Sequence, residues 1–73
     1  MERYANRNGN SGVAGFEAGS SYIRVQFKGN AKVYTYSYSG KAGQRHVDNM
    51  KSLACNGSGL GGYINSNVKF LYD

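Results

Sequence analysis

Three features of this chain could do chemistry: one glycine-rich stretch, a set of lysines and arginines, and a high density of tyrosine. Gly57-Ser58-Gly59-Leu60-Gly61-Gly62 spells GxGxxG, the pattern in which glycines let a backbone approach a pyrophosphate. The dinucleotide context fails, because the stretch follows a helical pattern instead of a strand and 73 residues leave no room for a βαβ unit. What survives is a turn entering a helix, where Gly59 and Gly61 would leave backbone N–H groups open to an anion. The same glycines equally suit a tight connection between two helices. Tyr63, Asn65 and Asn67 follow, supplying a phenol and two amides that can read a base or ribose edge, or cap and bridge structure.

The basic residues set the electrostatics. Nine Lys and Arg stand against four Asp and Glu, a formal charge of +5, which favours polyanionic partners: nucleic acid, a phosphate-bearing small molecule or an acidic protein. Arg24 and Lys28 alternate onto one face of a strand with Lys32 nearby, Lys41 and Arg45 open the following helix, and Lys69 lies near the end of the chain. That hairpin face carries Thr35 and Ser37 and no acidic residue of its own, which makes it the best phosphate-binding footprint in the sequence.

Catalysis finds less support. Glu2, Glu17, Asp48 and Asp73 are too few and too scattered for an acid/base pair or a metal cluster. His46 has no orienting partner in sequence and reads as a solvent-facing helical histidine. Cys55, the one cysteine, can form no internal disulfide and no zinc site, and reads as buried and inert in a reducing cytoplasm. No apolar window is long enough for a membrane span or an export signal. The expectation is a cytoplasmic protein that is not an enzyme and uses no cofactor.

The elements that must position these residues follow from periodicity. Residues 1–12 are polar and aperiodic and read as a flexible N-terminal arm; 13–73 read as a single domain. Val13 to Glu17 is a weakly signalled first strand. Ile23, Val25 and Phe27 alternate with Arg24, Gln26 and Lys28, and after Gly29-Asn30 the alternation resumes through Val33 to Tyr38, a β-hairpin. A two-residue turn there sets paired positions summing to 59, so Val25 faces Tyr34 and Ile23 faces Tyr36. Tyr34, Tyr36 and Tyr38 then share the face of Ile23 and Val25 and read as core before they read as a stacking platform. Tyr22 and Tyr63 are the better candidates for exposure.

Val47, Met50, Leu53 and Ala54 recur at helical spacing over about 42–55, and Asn56-Gly57 supplies the stop. Leu60, Ile64, Val68 and Leu71 mark a second helix toward residue 70, although Gly61 and Gly62 weaken its first turn by roughly 1 kcal/mol each. The fold class is α+β: a small antiparallel sheet of about three strands with two C-terminal helices packed on one face. A compact domain of this length has no room for a deep cavity, so a ligand must use a surface, a shallow groove or a subunit interface.

Val25-Gln26-Phe27-Lys28-Gly29, then Tyr34-Thr35-Tyr36, then a helix ending Leu53-Ala54, then Gly59, Tyr63-Ile64-Asn65 and Val68-Lys69 through Tyr72 resemble, in that order, the KTSC domain. That family is named for the C-terminus of some lysyl-tRNA synthetases. The resemblance runs from about Asn10 to Tyr72, and Met1-Glu2-Arg3-Tyr4 with Asn10-Ser11-Gly12-Val13 is similar to small stand-alone members in bacteria and phages. It implies RNA binding, through the attachment to a tRNA enzyme, and carries no catalytic residue. The chain departs from the family in having Ser39-Gly40-Lys41-Ala42-Gly43 where many members have a proline-containing link.

Two functional expectations result. One is a binding module for RNA or another nucleic acid, using Arg24, Lys28, Lys32, Gly59, Gly61, Tyr63, Asn65, Asn67 and Lys69. The other is a stand-alone, phage-encoded inhibitor that forms a homo-oligomer and sequesters a small nucleotide signal, or blocks a host defence protein. A protein partner at an unpaired sheet edge is a third arrangement open to such a fold.

Overall fold

The computed structural model describes residues 1–7, 9 and 12–73. Four strands, β1 (Glu2–Arg3), β2 (Val13–Ala18), β3 (Tyr22–Phe27) and β4 (Val33–Ser37), form one antiparallel sheet in chain order. Helix α1 (Gly43–Asn56) follows, then a short α2 (Leu60–Tyr63) that continues as a π-helical segment, Ile64–Val68. The class is α+β.

Alternation decides what the sheet buries. Ile23 and Val25 on β3 and Tyr36 on β4 are buried while Arg24 between them is exposed, and β3 and β4 pair with sums of 59, Ile23 opposite Tyr36 and Val25 opposite Tyr34. The loop is wider than the two residues expected. Pairing stops at Gln26–Val33; Asn30 donates its N–H to the Phe27 carbonyl with Gly29 at positive φ, and the Asn30 side chain takes the Lys32 N–H. On β2 a bulge between Val13 and Gly15 inserts one residue, which turns Val13 and Phe16, three apart, into the same core.

Helix α1 lays Val47, Met50 and Ala54 on this sheet face, Val47 and Met50 each contributing ~1.5–3 kcal/mol when fully buried. It ends at Gly57 in the left-handed conformation (φ 76°), whose N–H reaches the carbonyls of Leu53 and Ala54. The second helix brings Leu60, Ile64 and Val68 to the same core. Residues four apart in an α-helix drift by about 40° per step, so an unbroken α-helix would swing Val68 well round from Leu60. The widening to π geometry offsets the drift, and the regular helix expected toward residue 70 stops at Tyr63.

The N-terminal segment corrects the expectation of a free arm and of three strands. Glu2 pairs with Phe16 and Arg3 with Gly15; Tyr4, 3 % exposed, donates its N–H to Ala14 and takes the Leu60 N–H on its phenol oxygen. Arg7 then closes the end of α1, its backbone N–H on the Gly57 carbonyl at 2.7 Å and its Nε on the Asn56 carbonyl at 2.6 Å, a cation among orphan carbonyls. A two-residue strand carries no readable period, so the sequence could not announce it. The arm's Asn8, Asn10 and Ser11 lie outside the described residues.

Gly57 faces this segment closely, a Cβ there falling 2.5 Å from that of Ala5, whereas one on Gly62, inside α2, would meet nothing. Gly57→Ala is expected to lower stability by at least ~1 kcal/mol, and Gly62→Ala to raise it by ~0.5–1 kcal/mol, both read as shifts of the urea midpoint.

Candidate functional site

The loop end of the sheet, the glycine turn and the C-terminal tail leave a half-open cleft of ≈ 800 Å³ between them. Tyr36 and Ile64 meet it from the core. Phe27, Tyr34 and Tyr72 line it as a chain of edge-on rings, with centroids 5.7 Å apart for Phe27–Tyr34 and 4.9 Å for Tyr34–Tyr72. Lys32 is not among the lining residues but lies over the rings of this wall, its Nζ 5.1 Å from the Tyr34 centroid and 5.8 Å from that of Tyr72. Polar groups come from Lys28 and Asn30 at the hairpin loop, Ser58 at the glycine turn, and Asn65 and Lys69 on the second helix and its end. The N-terminal segment contributes Tyr4 and Asn6.

Of the residues expected to bind a ligand, Lys28, Gly59, Gly61, Asn65 and Lys69 come together at this cleft. Lys28 arrives by a route the alternation did not give. Strand β3 ends at Phe27, so Lys28 belongs to the turn, its N–H on the Gly12 carbonyl, and is not a partner of Arg24 on the outer face. Arg24 stays on that face and is engaged there: Glu17, opposite it on β2, lies 3.8 Å away and also takes the Tyr22 hydroxyl. The outer face thus holds a carboxylate that reading the hairpin alone left out. On β4 the Thr35 backbone carbonyl accepts the Asp73 N–H, and Ser37 donates its hydroxyl and backbone N–H to the Asp73 carboxylate.

The other departures have the same local character. Asn67 folds back, its amide donating to the Tyr63 carbonyl. Tyr63 is half-buried and turned to α1, its hydroxyl 2.7 Å from His46 Nδ1 and accepting from Asn49. His46 therefore has a partner, 17 residues away, and is neither solvent-facing nor unoriented. Cys55 is exposed, since it sits one residue beyond Ala54 and so about 100° off the buried stripe. At the start of α2 the Leu60 N–H already donates to Tyr4, so that donor is not open to an anion.

The tyrosines divide. Tyr36 is core, Tyr38 ties the sheet to α1 through Asp48 and Lys51, and Tyr34 opens onto the cleft. The sequence missed Tyr4, Asn6, Phe70 and Tyr72 as cleft residues. The only available signal was the run of aromatics at Phe70 and Tyr72, which periodicity gave no reason to bring back to Tyr34.

No protein-family model, curated protein or solved structure matches this chain. Among the described residues, no group of three His, Cys, Asp or Glu could hold a metal ion, and no helix is long and apolar enough to cross a membrane.

Burial pushes the Tyr36 phenol up from 10.0 to about 12, with Tyr34 and Tyr72 adding to the effect. The folded chain keeps this proton where the unfolded chain has lost it, so the stabilisation is complete below pH 10 and is lost as pH rises toward 12. The urea midpoint should hold until about pH 10 and then fall more steeply for the natural chain than for Tyr36→Phe, which has no proton to lose there.

Proposed function

We propose that this chain is a non-catalytic, cytoplasmic binding module for single-stranded nucleic acid, RNA foremost, and that its likeness to the KTSC domain reflects membership of that family. The observation that carries this is the cleft lined by Phe27, Tyr34 and Tyr72, with Lys28 and Lys69 among its lining. Aromatic rings give a base an apolar face to lie on, and lysines beside them meet the phosphate that accompanies it. A duplex stacks its bases internally and would leave such a cleft unfilled, so the preference is for unpaired nucleotides. The net charge of +5 adds long-range attraction to the same ligand.

A second reading draws support from the cleft's size. At ≈ 800 Å³, built within one chain, it lies in the range of small-ligand pockets, and a free nucleotide could be sequestered there without a subunit interface. Native mass spectrometry of protein purified gently from cells separates the two: a defined small nucleotide favours sequestration, and heterogeneous RNA favours the module.

The direct test is fluorescence anisotropy with labelled RNA and DNA oligonucleotides across a salt series. Affinity is expected to fall with salt, and Lys28→Ala and Lys69→Ala each to reduce the slope of log affinity against log salt by ~0.7, the value for one phosphate contact on a single strand. Arg24→Ala, on the far face, should leave the slope unchanged. Absence of salt-dependent binding to either nucleic acid at low ionic strength overturns the proposal.

A further inference from the structure

Phe70 is placed as no other phenylalanine of this chain is. Phe16 is buried and Phe27 half-buried, but Phe70 is 72 % exposed. The backbone explains how it is held out: Leu71 donates its N–H to the Val68 carbonyl, so Lys69 and Phe70 are the two central residues of a tight turn. Such positions ordinarily carry small or polar residues. Here they present a cation and an aromatic ring side by side, Lys69 Nζ lying 5.4 Å from the Phe70 centroid, and both line the cleft along with Tyr72.

We infer that the site takes two consecutive nucleotides of a single strand, one base inside the cleft and the next stacked on Phe70, with Lys69 at the phosphate joining them. This rests on the nucleic-acid reading above and adds to it a minimum ligand. A base inside the cleft uses the Phe27–Tyr34–Tyr72 wall, and its neighbour, a stacking distance away along the strand, needs a ring at the rim of the cleft that is open to solvent. Phe70 is such a ring, and Lys69 carries the charge between the two. The cation over the ring does not compete with this use, because a ring has two faces and a base covers one.

The test is a ladder of uridine 5′-monophosphate, the 5′-phosphorylated uridine dinucleotide and a uridine hexanucleotide. Each is titrated by NMR chemical-shift perturbation into the natural chain, Phe70→Ala and Phe70→Trp. Phe70→Ala is expected to weaken the dinucleotide and hexanucleotide by about fivefold or more, the loss of one base–aromatic stack, and to leave the mononucleotide unchanged. Phe70→Trp should restore the longer ligands. Circular dichroism of each variant checks the fold, which an exposed turn residue should not disturb. If the mononucleotide binds and Phe70→Ala changes all three ligands equally or none, the two-base register is overturned while the nucleic-acid reading stands. If the natural chain binds no member of the ladder, and no member of the matching adenosine ladder, both fall together.

Discussion

The hydrogen bond from the Leu60 N–H to the Tyr4 phenol oxygen joins residues 56 apart in the chain, and the shape of the cleft depends on it. Leu60 is fully buried at the first residue of α2, where a backbone N–H has no intrahelical partner. Left unbonded it would carry the desolvation cost of a buried donor, ~1–3 kcal/mol. Tyr4 removes that cost and in doing so fixes the start of α2 against the sheet edge. The glycine turn is thereby set against the N-terminal segment, and the two together form one side of the cleft. Arg7 repeats the device on the other side of the turn, where the last carbonyls of α1 need donors. A segment too short and polar to form a core of its own thus completes both helix ends that border the glycine turn.

Three of the chain's four Asp and Glu side chains are spent in structure, and this shapes its electrostatics. Glu17 holds Tyr22 and Arg24, Asp48 takes the Tyr38 hydroxyl, and Asp73 pins the tail to Ser37. None of these three lines the cleft, whereas Lys28 and Lys69 do. The net positive charge is therefore not spread evenly over the molecule in its effect: on the outer sheet face a cation is offset by Glu17, and at the cleft the cations stand among rings and amides. An anion entering the cleft meets Lys28 and Lys69 with none of these three carboxylates in the lining.

How much of this was legible in the sequence follows from what each signal measures. The β3–β4 register could be read because strict alternation and a glycine at the turn leave one pairing that buries Ile23, Val25 and Tyr36 together. Helix α1 could be read because Val47, Met50 and Ala54 keep one stripe and Gly57 ends it. Strand β1 could not, since Glu2 and Arg3 pair by backbone alone and the one buried side chain, Tyr4, has no periodic neighbour. The π segment was hidden for the opposite reason: a four-residue spacing of apolar side chains reads as α-helix whether or not the helix widens. Lys28 and Asn65 show in the sequence as a charge on a hairpin and an amide on a helix, and no pattern there places the two at one cleft. Tyr34 and Tyr72 became its wall through a contact between a strand and a tail that no local pattern encodes.

That contact makes the last three residues part of the site. Leu71, Tyr72 and Asp73 belong to no helix or strand, yet Asp73 is held at both ends, its N–H on the Thr35 carbonyl and its carboxylate on Ser37. Gly40 makes room for it, since a Cβ there would collide with the Asp73 carboxylate. With Asp73 anchored along β4 and Leu71 bonded back to Val68, Tyr72 has little freedom except to lie against Tyr34 beneath Lys32. A domain of this size has no spare helix with which to wall a cleft. It uses instead an extended tail, anchored by hydrogen bonds to the edge strand, and the turn that launches the tail is the one that exposes Phe70. The placement of the outer ring and of the inner wall are thus consequences of a single backbone path from Val68 to Asp73.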